Sequence, residues 1–114
     1  MSEKTLFSRI IDREIPSEII YEDERCIAFR DVSPQAPLHA LVVPRNPIPK
    51  LADAGEGEAA LLGHLLLVAA KVAAAQGFGE AFRLVVNNGS GAGQTVFHLH
   101  VHVLGGRAFR WPPG

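Results

Sequence analysis

The chain has 114 residues, 47% of them hydrophobic, with 11 Lys and Arg against 12 Asp and Glu for a net charge of −1. That length supports one domain, residues 1–114, with a real core but no room for a second, and the balanced charge excludes the basic stripe of a nucleic-acid binder. A lone cysteine, Cys26, rules out an internal disulfide and reads as a small buried hydrophobe in a reducing compartment.

The opening M-S-E-K-T is charged, and no uninterrupted apolar segment follows it. Neither a signal peptide nor a membrane anchor is expected, and a cytoplasmic protein is. From Thr5 to Arg13, Leu6, Phe7, Ile10 and Ile11 fall at helical spacing behind Thr5 as a candidate N-cap, and Ile15-Pro16 ends this short helix. Ile19 to Glu22 and Cys26 to Arg30 read as two strands of an antiparallel meander around the charged turn E-D-E-R. Asp31 to Pro37, D-V-S-P-Q-A-P, is a rigid connection into a strand from Leu38 to Val43 that carries His39.

After the proline-rich R-N-P-I-P-K, the stretch from about Glu56 to Gln76 is rich in Ala and Leu without proline, which is strong helix composition. Leu61, Leu62, Leu65, Leu66, Ala69, Val72 and Ala73 form its apolar stripe. Leu67 and Val68 widen that stripe beyond what one sheet needs, so a subunit interface is expected there. Gly77 and Gly79 close the helix. His64, alone in its middle, has no partner in view. Phe82 to Asn87 is a further strand, and N-G-S-G-A-G-Q-T follows it with three glycines between 89 and 93. A hairpin turn needs only two residues, so the loop has another use: its backbone N–H groups can converge on an anion, with Asn87, Gln94 and Thr95 beside them. The tail G-G-R-A-F-R-W-P-P-G is too apolar around Trp111 to hang free, and it is expected to pack on something.

Between loop and tail lies V-F-H-L-H-V-H-V-L, Val96 to Leu104, where His98, His100 and His102 alternate with Leu99, Val101 and Val103. Strict period-two alternation predicts a half-buried strand with the three imidazoles on one face, their Cα atoms about 6.6 Å apart. Three chemistries compete for them. Zinc could be held by a His-x-His pair, but His98 and His102 stand roughly 13 Å apart on an extended strand, and no Cys, Asp or Glu accompanies them, so no metal is expected. Purely structural histidines would cost desolvation with no packing benefit that valine could not supply. Nucleophilic catalysis at phosphorus uses all three: one imidazole attacks, one orients it, and one stabilises phosphate oxygens, while the glycine loop adds donors. Asp31 could accept bonds from sugar hydroxyls, or simply cap its turn.

H-L-H-V-H-V-L, together with I-P-S-E-I-I-Y-E-D, A-F-R-D-V-S-P-Q-A-P-L-H, V-V-N-N-G-S-G-A-G-Q-T and the W-P-P-G ending, resembles the histidine triad superfamily, and within it the histidine triad nucleotide-binding branch. The resemblance implies an α+β fold: an antiparallel sheet of about five strands with one short N-terminal helix and one long helix, dimerising into a shared sheet. It implies a homodimer that binds purine nucleotides of the AMP or GMP type and hydrolyses the P–N bond of nucleoside 5′-phosphoramidates or related aminoacyl-adenylates, without a cofactor. His100 is the implied nucleophile, with His102 on the phosphate, His98 and His39 in the supporting network and the Thr95 hydroxyl near the leaving group. Asp31 is implied to hold the ribose, Asn87, Gly93, Gln94 and Thr95 the phosphate side, and Leu6, Phe7, Ile10, Phe29 and Val32 the base, while Trp111 reaches toward the partner's site.

Two positions depart from the animal members of that branch. Thr95 stands where they have serine, which keeps the hydroxyl but adds a methyl that restricts its rotamers. Pro47 stands where histidine is common and stiffens a loop outside the triad. The alternatives are an adaptor protein that binds nucleotide with incidental hydrolysis, and a dinucleoside polyphosphate hydrolase, against which the W-P-P-G tail weighs.

Overall fold

The computed structural model of the protein describes residues 4–114; Met1 to Glu3, part of the stretch read as lacking a signal peptide, lie outside them. Helix α1 covers Leu6–Ile11, and its N-cap is Thr5, whose Oγ1 accepts the Ser8 N–H at 2.9 Å. The strands are β1 (Ile19–Glu22), β2 (Cys26–Arg30), β3 (Leu38–Pro44), β4 (Phe82–Val85) and β5 (Val101–Gly105), and the long helix α2 is Ala59–Ala75. All neighbours pair antiparallel in the order β1-β2-β3-β5-β4. Asp23 shapes the β1–β2 turn, its Oδ1 accepting the N–H groups of Arg25 and Cys26 at 2.8 and 2.9 Å, the local bond that makes aspartate a turn residue.

Alternation along the strands sends side chains to two differently covered faces. Cys26, Ala28, Leu38, Ala40, Val42, Leu99, Val101 and Val103 meet Leu65, Val68, Ala69, Val72 and Ala73 of α2. Leu65, Val68 and Val72 each stabilise the fold by on the order of 1.5–3 kcal/mol through that burial. Ile27, Phe29, Leu41 and Val43 on the other face meet Phe7 and Ile10 of α1. A six-residue helix covers only part of a five-stranded sheet, and the remainder of that face is where the histidines stand.

Four local expectations are corrected. The histidine segment is not a continuous strand from Val96: β5 begins at Val101, because the Leu99 N–H is taken by Ile48 O at 2.7 Å and the last ladder pair with β3 is Val42 with Val101. Correspondingly β4 stops at Val85, opposite His102. In α2, Val68 points inward while Leu66 and Leu67 are 51% and 66% exposed. Residues Glu56–Ala75 match a membrane span in length and apolar composition, yet five of them form the core against the sheet. His64 does have a partner, for its Nε2 lies 2.7 Å from Asp23 Oδ2 and ties α2 to the β1–β2 turn.

The tail is fastened at Phe109, which lies between the guanidinium groups of Arg83 and Arg107, 5.1 and 4.3 Å from the ring centroid. Trp111 beyond it is 84% exposed, so the expected packing of the tail falls on Phe109. The chain enters the tail through Gly106, at φ +93°, where a Cβ would come within 2.9 Å of Phe78 and Pro37.

Candidate active site

The bend at Val96 to His98 does not scramble the alternation, since His98 and His100 both touch Phe7 on the α1 side, with ring centroids 5.9 and 5.0 Å away, and His102 is 5.0 Å from His100. Each ring has at least one partner that permits a single proton assignment. His98 Nε2 is 2.7 Å from Pro44 O, a carbonyl that can only accept, so Nε2 carries the proton. Its Nδ1, 2.6 Å from Thr5 Oγ1, then accepts the threonine O–H. His100 Nδ1 is 2.7 Å from His98 O and must donate to it, which leaves His100 Nε2 as a free lone pair. The Gln35 N–H donates to His39 Nδ1 at 3.0 Å, so His39 carries its proton on Nε2 and donates to His102 Nδ1 at 3.0 Å. His102 therefore keeps its proton on Nε2, and the pair of rings presents one nucleophilic nitrogen and one hydrogen-bond donor.

These assignments hold for neutral rings, and the surroundings keep them neutral. Burial lowers the pKa of His98 and of His100. It lowers that of His39 too, against the opposing charge of Asp31. Burial and then the proximity of His100 and His39 push His102 down to about 4.

The exposed edges of His100 and His102 open into a cavity of about 450 Å³. Leu6, Phe7, Ile10, Phe29 and Val32 line its apolar part, and Asp31, Asn87, Gly93 and Thr95 its polar part. Val32 does so from the rim, 94% exposed. Asp31 Oδ1 accepts the Ser33 N–H at 2.8 Å, as a turn cap would, while Oδ2 lies 3.5 Å from His39 Nε2. The glycine loop is a short 3-10 turn, Ser90–Ala92, closed by Gly93 in the left-handed region at φ +95°.

Four of the predicted site residues do not line the cavity. Gln94 is buried inside the loop, accepting from Gly89 N–H and donating to Pro49 O and Val96 O, so it shapes the glycine loop without facing the cavity. His98 and His39 lie behind His100 and His102 as supports, and Trp111 is outside the cavity of its own chain. Sequence reasoning missed Ile15, Pro16, Ser17, Arg30, Leu41 and Val96 as cavity walls, most of which sit where the pattern spoke only of a helix end or a strand. It also met Thr5 only as a helix cap.

A neutral imidazole lone pair beside a fixed donor, at the junction of an apolar and a polar pocket, is an arrangement that can act as a nucleophile or a general base toward a bound ligand. Residues 12–109 match the family model of the HIT domain, and the chain belongs to that family. It is 61% identical, over the full length of both chains, to an uncharacterized HIT-like protein of Synechocystis. It is 48% identical over 112 residues, 96% of this chain and 88% of the relative, to a 14 kDa zinc-binding protein of Zea mays. Its fold superposes with a TM-score of 0.94 on the crystal structure of a HIT family hydrolase from Legionella pneumophila, 45% identical and covering 97% of this chain and 100% of that one.

The maize protein's zinc raises the question of a resident ion here. Asp31, His39 and His102 have donor atoms within 4.8 Å of one another, as do Asp23, Cys26 and His64. Neither donor set fits. A metal on His39 Nε2 would displace the only proton of a ring whose Nδ1 already accepts from the Gln35 N–H, leaving an imidazolate. In the second group Arg25 donates to His64 Nδ1 at 3.1 Å, which places the His64 proton on Nε2 against Asp23. Burial alone would raise the Asp23 pKa, but bonds from Arg25 N–H, Tyr21 OH, Cys26 N–H and His64 outweigh it and hold the carboxyl well below its ordinary range. The Cys26 thiol is pushed up to about 12, by burial first and then by the Asp23 charge, so no thiolate is at hand.

Proposed function

We propose that this HIT family protein is a purine nucleoside phosphoramidase that works through a nucleotidylated His100. The observation that carries the proposal is the 2.7 Å bond from His100 Nδ1 to His98 O, because it commits Nδ1 as a donor and leaves the lone pair on Nε2 of a residue that lines the cavity. The purine occupies the apolar wall of Leu6, Phe7, Ile10 and Phe29, and Asp31 receives the ribose hydroxyls at the rim. His100 Nε2 attacks phosphorus, the P–N bond breaks, and the amine leaves with a proton that the exposed Thr95 hydroxyl passes to it from solvent water. His102 Nε2–H donates to a phosphate oxygen as charge builds. Water then displaces His100 from phosphorus and releases the nucleoside monophosphate. Leu66 and Leu67, turned out from α2, support pairing of two copies in the working protein.

The test is release of a fluorescent amine from an adenosine 5′-phosphoramidate by the parent protein and by His100→Ala, with and without chelator. Turnover that survives chelator and disappears in the variant supports the proposal, as does a nucleotidyl adduct on His100 in quenched samples. A folded parent protein that binds AMP but releases no amine overturns it in favour of a nucleotide-binding protein.

A further inference from the structure

Thr5 is the residue of the site region that the proposed chemistry leaves unused, and its hydroxyl has two partners. Its oxygen accepts the Ser8 N–H that begins α1, at 2.9 Å. Its proton goes to His98 Nδ1 at 2.6 Å, because the opposite nitrogen of that ring is committed to Pro44 O. One hydroxyl therefore joins the helix that walls the apolar pocket to the residue whose carbonyl orients His100. The link spans 93 positions of sequence, and His98 itself is completely buried. A side chain lacking the hydroxyl would leave the His98 Nδ1 lone pair without a donor in a dry environment, at the cost of an unpaired buried acceptor. A side chain that only accepts would instead draw a proton onto Nδ1. A tautomer change would also take the proton from Nε2 and turn two acceptors, Pro44 O and the bare nitrogen, toward each other.

We infer that Thr5 is a positioning residue of the active site: by donating to His98 it fixes the backbone of residues 98–100, and so aligns His100 with whatever rests against α1. This inference rests on the phosphoramidase proposal for its kinetic consequence, though not for its structural one. Three substitutions separate the two bonds. Thr5→Ser keeps both, Thr5→Val removes both at nearly constant shape, and Thr5→Asp keeps a strong helix cap while replacing the donor by an acceptor.

The experiment records the tautomers of His98 and His100 by long-range 1H–15N NMR in the parent and the three variants, and measures kcat, KM and the pH profile with an adenosine 5′-phosphoramidate. In the parent, His98 is protonated on Nε2 and His100 on Nδ1. Thr5→Asp, folded as judged by circular dichroism, shows a proton on His98 Nδ1, and its kcat falls about tenfold, the equivalent of ~1.4 kcal/mol in the barrier, with KM changed less than kcat. Thr5→Val, which offers Nδ1 neither donor nor acceptor, keeps the proton on His98 Nε2 but lowers kcat where it folds, and Thr5→Ser keeps both parental readouts. Parental ring signals and kcat in Thr5→Asp would overturn the inference. Should the parent protein release no amine, the phosphoramidase proposal fails while the ring signals still decide the role of Thr5.

Discussion

His98→Ala is the substitution whose cost can be worked most fully from the structure. The ring makes two hydrogen bonds, 2.6 Å to Thr5 and 2.7 Å to Pro44 O, each worth roughly 1 kcal/mol net. Thr5 is half-buried and can turn its hydroxyl toward solvent, but the Pro44 carbonyl is left without its imidazole donor, at about 1–3 kcal/mol. The void beside Phe7, whose ring lies 5.9 Å from that of His98, adds a cavity cost of similar order. With the Pro44 bond counted once, within its desolvation cost, these destabilise the fold by about 3–7 kcal/mol, a large part of the roughly 6–17 kcal/mol available to a chain of this length. With a urea slope of about 2 kcal/mol/M, the midpoint of chemical unfolding moves down by about 1.5–3.5 M. Urea titration followed by circular dichroism reads the shift, and His98→Phe, which fills the void without restoring the bonds, recovers only part of it. A midpoint change below about 0.5 M for His98→Ala would refute the reasoning, because the buried ring would then be a passive filler rather than a pin.

Two further outcomes follow from the same geometry. Because the native-state pKa values of His98, His100, His102 and His39 are all lowered, the unfolded chain binds more protons than the native one below about pH 6.5. Stability therefore falls as pH drops from there, with the His102 contribution levelling off near its native pKa of about 4; turnover persists below pH 6.5 until the nucleophile protonates, and thermal unfolding and rate profiles against pH check both. Gly106→Ala combines a left-handed backbone with a Cβ 2.9 Å from Phe78 and Pro37, and it lowers stability by about 2–4 kcal/mol in urea titration while Gly91→Ala, which meets nothing within 4 Å, changes it by less than 1 kcal/mol.

Much of this architecture is legible in the chain because alternation survives even where regular hydrogen bonding does not. Leu99 and His100 lie before β5 begins, yet Leu99 joins the α2 core and His100 faces α1, as period two requires. The strand's true start is set by the Ile48 carbonyl, about fifty residues upstream, and no local pattern announces it. The apolar stripe of α2 was harder to read for a related reason. In a run where nearly every residue is Ala, Leu or Val, helical phase is weakly marked, and packing alone decides that Val68 turns in and Leu66 out. Gln94 looked like a phosphate contact because it ends a glycine loop, but an amide in that place can satisfy the loop's own backbone, and here it does. The partners of His64 and His98 are contributed by turns and caps far away in sequence. A lone polar residue in an apolar run signals that a partner exists without saying which.

The fastening of the tail has an optical consequence. The chain has a single tryptophan, and the Arg83–Phe109–Arg107 stack holds the tail two residues short of it, leaving the indole 84% exposed, away from the core and the cavity. Intrinsic fluorescence of this protein is therefore nearly blind to the melting of its sheet. The same emission is a background-free reporter of whatever the last four residues touch, and any surface that comes to cover them shifts it to the blue.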